Sequence, residues 1–321
     1  MSYIFQLTHP CDEQENPKIF NGKFFCWSNA RKPHSKKCIQ ACAKYLTVNN
    51  YNKEVSYTEK QGKLFFWAEW EACSQIISCP SKTSSTCLSS PPQYIHKALL
   101  KCNNNCNNIP KIPHNSDPLL FADDLNGRII YSNCKQNKGI HGKRNANIPN
   151  SLTLKSLPQN TIIVFGCIDE NNKNFNVDCV FVVDYCIHYY VGKDNLLPKE
   201  KALPSFFKEI VFDPLNKSYS QKRYKKSSQF FTVYIGKTFD PSNPNDIFSF
   251  FPAVTKENCI KNLPLKLTSN NNFQFYLNGK PKRGYWVYQV LKPNTGIKQA
   301  WDEIRDQTIK QGLVFGLIAK L

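Results

Sequence analysis

Alternation of apolar and polar positions dominates the chain and predicts strands. Tyr3, Phe5 and Leu7 alternate with their neighbours over residues 2–7, a period of two that turns one side toward a core. Residues 63–70, 128–133, 161–168, 229–236, 272–277, 284–291 and 313–319 are further predicted strands. The clearest is 174–190. Phe175, Val177, Cys179, Phe181, Val183 and Tyr185 fall on one face; Asp178, Val180, Val182, Asp184, Cys186 and His188 fall on the other. Both faces are apolar at the centre, so this strand is expected inside a sheet. Asn278-Gly279 marks a tight turn between two of the late strands.

Helical spacing is rarer. Ile297, Trp301, Ile304 and Thr308 recur at the helical period, and Gly312 provides the stop. A second helix is predicted from Ser35 to about Leu46, and a short one near 93–102. Residues 78–92 are rich in Ser, Thr and Pro and 103–108 are mostly Asn, so 74–116 reads as a long insertion. Residues 193–228 are looser and Pro-containing. The expected fold class is α+β: a strand-rich mixed sheet or small β-barrel with peripheral helices and long inserted loops. One body over 1–321 is preferred; the alternative boundary lies near 195–215.

Composition changes the picture through charge. The 321 residues carry 42 basic and 24 acidic side chains, a net charge of +18. That favours a polyanionic partner, nucleic acid or nucleotide. Only six of the basic residues are Arg, so the charge suits general phosphate attraction more than base reading. No basic leader with a long apolar core opens the chain, and no apolar run approaches the ~20 residues of a membrane helix. A cytoplasmic protein without membrane insertion is the expectation.

The fourteen cysteines form no C-x-x-C pair, which argues against a zinc ribbon or a redox dithiol. Cys167, Cys179 and Cys186 lie in strand patterns, as small hydrophobes do. His34, Cys38 and Cys42 are spaced as one face of the predicted helix and are the metal-ligand candidates. The bland reading, two core-facing thiols and no metal, is preferred.

Several familiar chemistries are excluded. The chain has no phosphate-binding loop of the G-x-x-x-x-G-K type, no G-x-G-x-x-G, no H-E-x-x-H and no G-x-S-x-G. No cofactor is expected. Trp67 and Trp70 beside Glu69 and Glu71 are candidates for stacking a base while a carboxylate accepts from its N–H groups. The same carboxylates could serve as general acid and base. Ser132, Asn133 and Gln136 supply donors and acceptors at a strand end, and Asp178 joins them in the ligand-binding set. Cys134 with His141 is a nucleophile candidate. Asp123 and Asp124 are considered as metal-binding nuclease residues. Lys143, Arg144, Lys222, Arg223, Lys225, Lys282 and Arg283 form basic runs suited to phosphates, the later ones beside aromatics.

The turn and apolar strand Leu157–Gly166, followed by the strand Phe175–Val183, resembles the central strands of PUA-like domains of the ASCH and EVE kind. The helix and last strand at 297–319 are compatible with it. The resemblance covers about a third of the chain. It implies a small β-barrel whose cleft binds RNA or a modified DNA base. Three readings follow: a nucleic-acid or nucleotide binding module that senses a modified base; an enzyme on such substrates using Glu69, Glu71 or Cys134; and a protein-interaction factor.

Overall fold

The computed structural model of the protein describes residues 3–8, 18–20, 23–25, 39–51, 54–67, 74–77, 95–98, 118–132, 153–169, 174–192, 197, 199, 202–205, 207–213, 216, 228–268, 288–290 and 296–320. Strands predominate among them. In chain order they are β1 (Ile4–Thr8), β2 (Lys18–Phe20), β3 (Lys23–Phe25), β4 (Ile39–Tyr51), β5 (Glu54–Phe66), β6 (Ser74–Ile77), β7 (Ile95–Ala98), β8 (Phe121–Ala122), β9 (Ile130–Tyr131), β10 (Ile162–Asp169), β11 (Asn174–Gly192), β12 (Ser228–Gly236), β13 (Phe251–Val254), β14 (Leu265–Leu267), β15 (Tyr288–Val290) and β16 (Val314–Lys320). One α-helix, α1 (Ile297–Lys310), and short π and 3-10 turns at Lys208–Phe212 and Glu257–Asn262 complete the described elements.

A mixed sheet and a small closed barrel coexist. The sheet runs β15-β1-β10-β11-β12-β9, with β14 also on β11. Within it β1 and β10 are parallel and the other pairs antiparallel. The barrel is the antiparallel cycle β13-β5-β4-β16, closed where Phe251 to Ala253 pair with Gly316 to Val314. That seam needs a glycine: a Cβ on Gly316 would lie 2.2 Å from the Phe251 ring. A bridge between Val180 and Phe250 ties β11 to the start of β13. Ser249 Oγ reinforces it, accepting from Val182 N–H at 2.8 Å and donating to Val182 O at 3.1 Å.

The core fills both sides of the mixed sheet. One cluster joins Phe5, Phe165 and Phe181 to the barrel residues Phe66, Phe251 and Ile318. The other joins Val164, Val180 and Val182 to Phe315 and to the buried face of α1. Trp301 anchors that helix: its ring lies 4.8 Å from Phe248 and its indole N–H donates to Phe248 O at 3.0 Å. Gly312, at φ +70°, ends the helical segment in a conformation that side-chain-bearing residues rarely adopt.

The strand at 174–190 is internal, as its two apolar faces require, flanked by β10 and then β12. Two irregularities break its alternation. The first lies opposite Phe165/Gly166, where Asp178 is the extra residue, and the second lies between Val183 and Tyr185.

The described parts of two predicted helices are strands. Residues 39–51 pair with 54–66 over thirteen registered positions. The spacing of Ile39, Cys42, Ala43 and Leu46 imitates a helix face, but a hairpin of this length offers a full ladder of backbone bonds, and β-branched Thr47, Val48, Val55 and Thr58 favour it. The described part of 93–102 is β7, which pairs with β6. The strand predicted at 63–70 begins earlier, at Glu54, and its described part ends at Phe66. The strand predicted at 272–277 lies outside the described residues. No helix among the described residues is long and apolar enough to cross a membrane.

Candidate nucleic-acid interface

Period-two geometry on β11 and β12 creates an aromatic surface. Ile187 and Tyr189 point inward with Phe231, Val233 and Ile235, all buried. Cys186, His188 and Tyr190 therefore share the opposite face, across the ladder from Tyr234, Thr232 and Phe230. A loop over residues 153–157 covers part of that face. Leu157 N–H donates to Tyr234 Oη at 2.9 Å, and Thr232 Oγ1 donates to Lys155 O at 3.0 Å. Burial pushes the Tyr234 phenol well above its ordinary pKa, while the Leu157 bond opposes the shift.

Beyond the loop the face is open. Tyr190 is 41 % and Phe230 43 % exposed there, while Tyr185, paired with Ile235 just past the irregularity after Val183, has the parity of Ile187 and Tyr189 and is 39 % exposed. These three are the exposed large hydrophobic side chains among the described residues. Tyr190 and Phe230 have ring centroids 6.4 Å apart, and His188 stands edge-on to Phe230 at 5.9 Å.

Cations border these rings. Lys155 Nζ lies 4.6 Å from the Phe230 centroid and donates to Phe230 O at 3.0 Å. Half-burial lowers the Lys155 pKa, because desolvation penalises its charged form. The Arg128 guanidinium lies 5.8 Å from the Tyr185 centroid, and its Nη1 donates to Asp184 Oδ2 at 2.6 Å.

Arg128 also lines a cleft of about 250 Å³ where the barrel meets the sheet. Lys44 enters it from β4 and Lys237 from the end of β12, with Leu125, Phe239 and Leu317 as apolar wall. Lys44 lies 3.6 Å from Glu59, and Lys237 lies 2.8 Å from Asp246. Burial works to raise the Asp246 pKa, but Lys237 and the Ile247 N–H outweigh it and hold the carboxyl below its ordinary value.

The residues singled out from sequence are placed differently. Trp67 is 3 % exposed and packs in the core with Phe65 and Leu46 rather than offering its ring to solvent. Ser132 is buried beside the end of β9, and Asp178 is 3 % exposed at its irregularity in β11. Burial, with Asp178 alongside, holds the Cys179 thiol well above its usual range. Asp123 accepts from Ser205 N–H and Oγ at 2.6 and 2.8 Å, and Asp124 accepts from Asn126 N–H at 2.6 Å. Both carboxylates thus organise loops. Cys42 is exposed on a strand, which removes the helix face proposed to align it with His34 and Cys38. No group of three metal-ligating side chains occurs among the described residues. His34, Cys38, Glu69, Trp70, Glu71, Asn133, Cys134, Gln136, His141, Lys143, Arg144, Lys222, Arg223, Lys225, Lys282 and Arg283 lie outside the described residues.

Sequence reasoning missed Tyr190, Phe230, Lys155 and Arg128. One signal was present: Tyr190 has the parity of Asp184, Cys186 and His188, the polar phase of the long strand.

No family model matches this chain, and no curated protein or solved structure matches it either.

Proposed function

We propose that the protein binds single-stranded nucleic acid on the outer face of β11 and β12. The observation that carries this reading is the pair of exposed rings, Tyr190 and Phe230, bordered by Lys155. Exposed aromatics on adjacent strands stack bases of any sequence, and neighbouring cations meet the phosphates. A net charge of +18 draws a polyanion to the surface. The PUA-like resemblance of 157–166 and 175–183 supports base binding as well, and modified bases belong among the ligands tried.

The test is binding of labelled single-stranded DNA and RNA of about 12 nucleotides, with duplex and modified-base versions, at low and moderate salt. The single strand binds best, and its affinity falls steeply with salt. Tyr190→Ala and Phe230→Ala each weaken it, by about 5- to 150-fold for a stacked base worth ~1–3 kcal/mol. Absence of binding at low salt, or full binding by both variants, refutes the reading.

A further inference from the structure

The cleft between barrel and sheet has a charge pattern that the aromatic face does not explain. Three cations reach it from separate elements: Lys44 on β4, Arg128 before β9 and Lys237 after β12. Glu59 is the carboxylate among its lining side chains; Asp184 and Asp246, which hold Arg128 and Lys237, do not line it. The lining side chains therefore carry three positive charges against one negative.

Each cation keeps capacity for another acceptor. Arg128 engages Asp184 through Nη1, and a guanidinium has five N–H donors in a fixed fork. Lys237 Nζ meets Asp246 at 2.8 Å and donates to Asn160 Oδ1 at 3.2 Å, while an ammonium carries three protons. Lys44 lies 3.6 Å from Glu59, beyond a well-formed hydrogen bond, and the Glu59 side chain is 43 % exposed. The carboxylates orient the cations without saturating them. The volume, about 250 Å³, falls below the ~300 Å³ at which sites for drug-sized ligands begin. Leu125, Phe239 and Leu317 narrow the site and limit solvent screening.

We propose that this cleft binds a phosphate group, and that Arg128 joins it to the exposed Tyr185 ring, so that a strand stacked at Tyr185 sets a backbone phosphate among Lys44, Arg128 and Lys237. The inference rests on the nucleic-acid reading and adds a defined second site to it. A phosphodiester within a strand and the phosphate monoester of a free nucleotide share this chemistry.

The test follows the salt dependence of binding of a labelled thymidine oligonucleotide of about 12 residues. Each phosphate neutralised on a single strand contributes ~0.7 to the slope of log affinity against log salt. The double variant Lys44→Met with Lys237→Met lowers that slope by up to ~0.7, the share of the one phosphate held in the cleft. The charge-preserving pair Lys44→Arg with Lys237→Arg retains it. Tyr190→Ala lowers affinity with the slope unchanged. Should the double methionine variant not fold, each single variant lowers the slope by a part of that ~0.7. A wild-type slope in variants that still bind overturns the cleft assignment and leaves the aromatic reading standing. Failure of the wild-type protein to bind the strand overturns both. Thymidine and thymidine monophosphate form the second arm. Binding of the monophosphate and not the nucleoside assigns the cleft to free nucleotides; binding of the oligonucleotide alone assigns it to strands. Equal binding of nucleoside and monophosphate refutes a phosphate site.

Discussion

Tyr190 and Phe230 face each other across the β11–β12 ladder with ring centroids 6.4 Å apart, and about two-fifths of each is exposed. Neither ring belongs to the two buried clusters that hold the sheet together. An aromatic pair in this setting forgoes much of the stabilisation that burial gives such side chains. The pair is better accounted for by what it can contact than by what it supports.

Neighbouring residues on β12 give the direct comparison. Phe231 points inward, fully buried and stacked on Tyr189 at 5.6 Å, while Phe230 points out. Phe231→Ala is expected to cost about 3–5 kcal/mol of stability through lost burial and the cavity left behind. Phe230→Ala costs about 1 kcal/mol or less, mainly the Lys155 contact over its ring. Urea unfolding followed by tryptophan fluorescence checks both. Comparable losses would show that the outer ring is structural.

Much of this was legible in the sequence, for local reasons. The strand at 174–190 could be read because its apolar residues repeat with period two, and α1 because Trp301 and Ile304 repeat with the helical period. The same method failed for β4, where Ile39, Cys42, Ala43 and Leu46 mimic a helix while thirteen partners on β5 decide the outcome. Such pairing is non-local, and the polar half of β5 gives no apolar pattern to announce it. Trp67 looked like a ligand platform because a Trp beside carboxylates carries the same signal whether it faces a pocket or the core. The cleft was illegible throughout: Lys44, Arg128 and Lys237 are brought together by barrel closure against the sheet, not by spacing along the chain.

Barrel closure itself is open to a substitution test. Gly316 lies against the Phe251 ring, which also packs on Phe66 at 4.4 Å. Gly316→Ala forces a methyl group into that ring and is expected to destabilise the protein by at least ~1–3 kcal/mol. Phe251→Leu in the same chain relieves the clash, so the double variant loses less than the sum of the two single losses. Thermal unfolding midpoints of the three variants provide the cycle. Simple additivity would mean that the seam relaxes elsewhere.

Cysteine reactivity separates the described thiols by position. Cys42 and Cys186 are exposed, whereas Cys167 and Cys179 are buried. Desolvation raises the Cys186 pKa and leaves less of the reactive thiolate near neutral pH. Alkylation of the native protein, mapped by mass spectrometry, is expected to modify Cys42 first and Cys186 more slowly. Cys167 and Cys179 are modified only on unfolding. Rapid labelling of Cys179 in the folded protein would contradict the packing of β11 against β10.

Acid sensitivity follows from the pair that frames the cleft. Burial favours the neutral form of Asp246, but the Lys237 ammonium and the Ile247 N–H prevail, and its folded pKa lies below the ordinary carboxylate value. The unfolded chain therefore binds this proton more readily than the folded one. The contribution of Asp246 to stability is complete above pH of about 4 and is lost as pH falls through the depressed folded value. Its side chain is 37 % exposed, so solvent screening keeps the contribution within the ~0.2–1 kcal/mol of exposed ion pairs. Urea midpoints of wild type and Asp246→Asn are expected to differ at pH 7 and to converge below about pH 4. A difference that persists undiminished at low pH would show that the asparagine disturbs packing rather than charge. In Asp246→Asn, Lys237 also keeps its charge without its carboxylate. At neutral pH that variant is expected to bind the thymidine oligonucleotide more tightly than wild type, with the gain abolished by adding Lys237→Met.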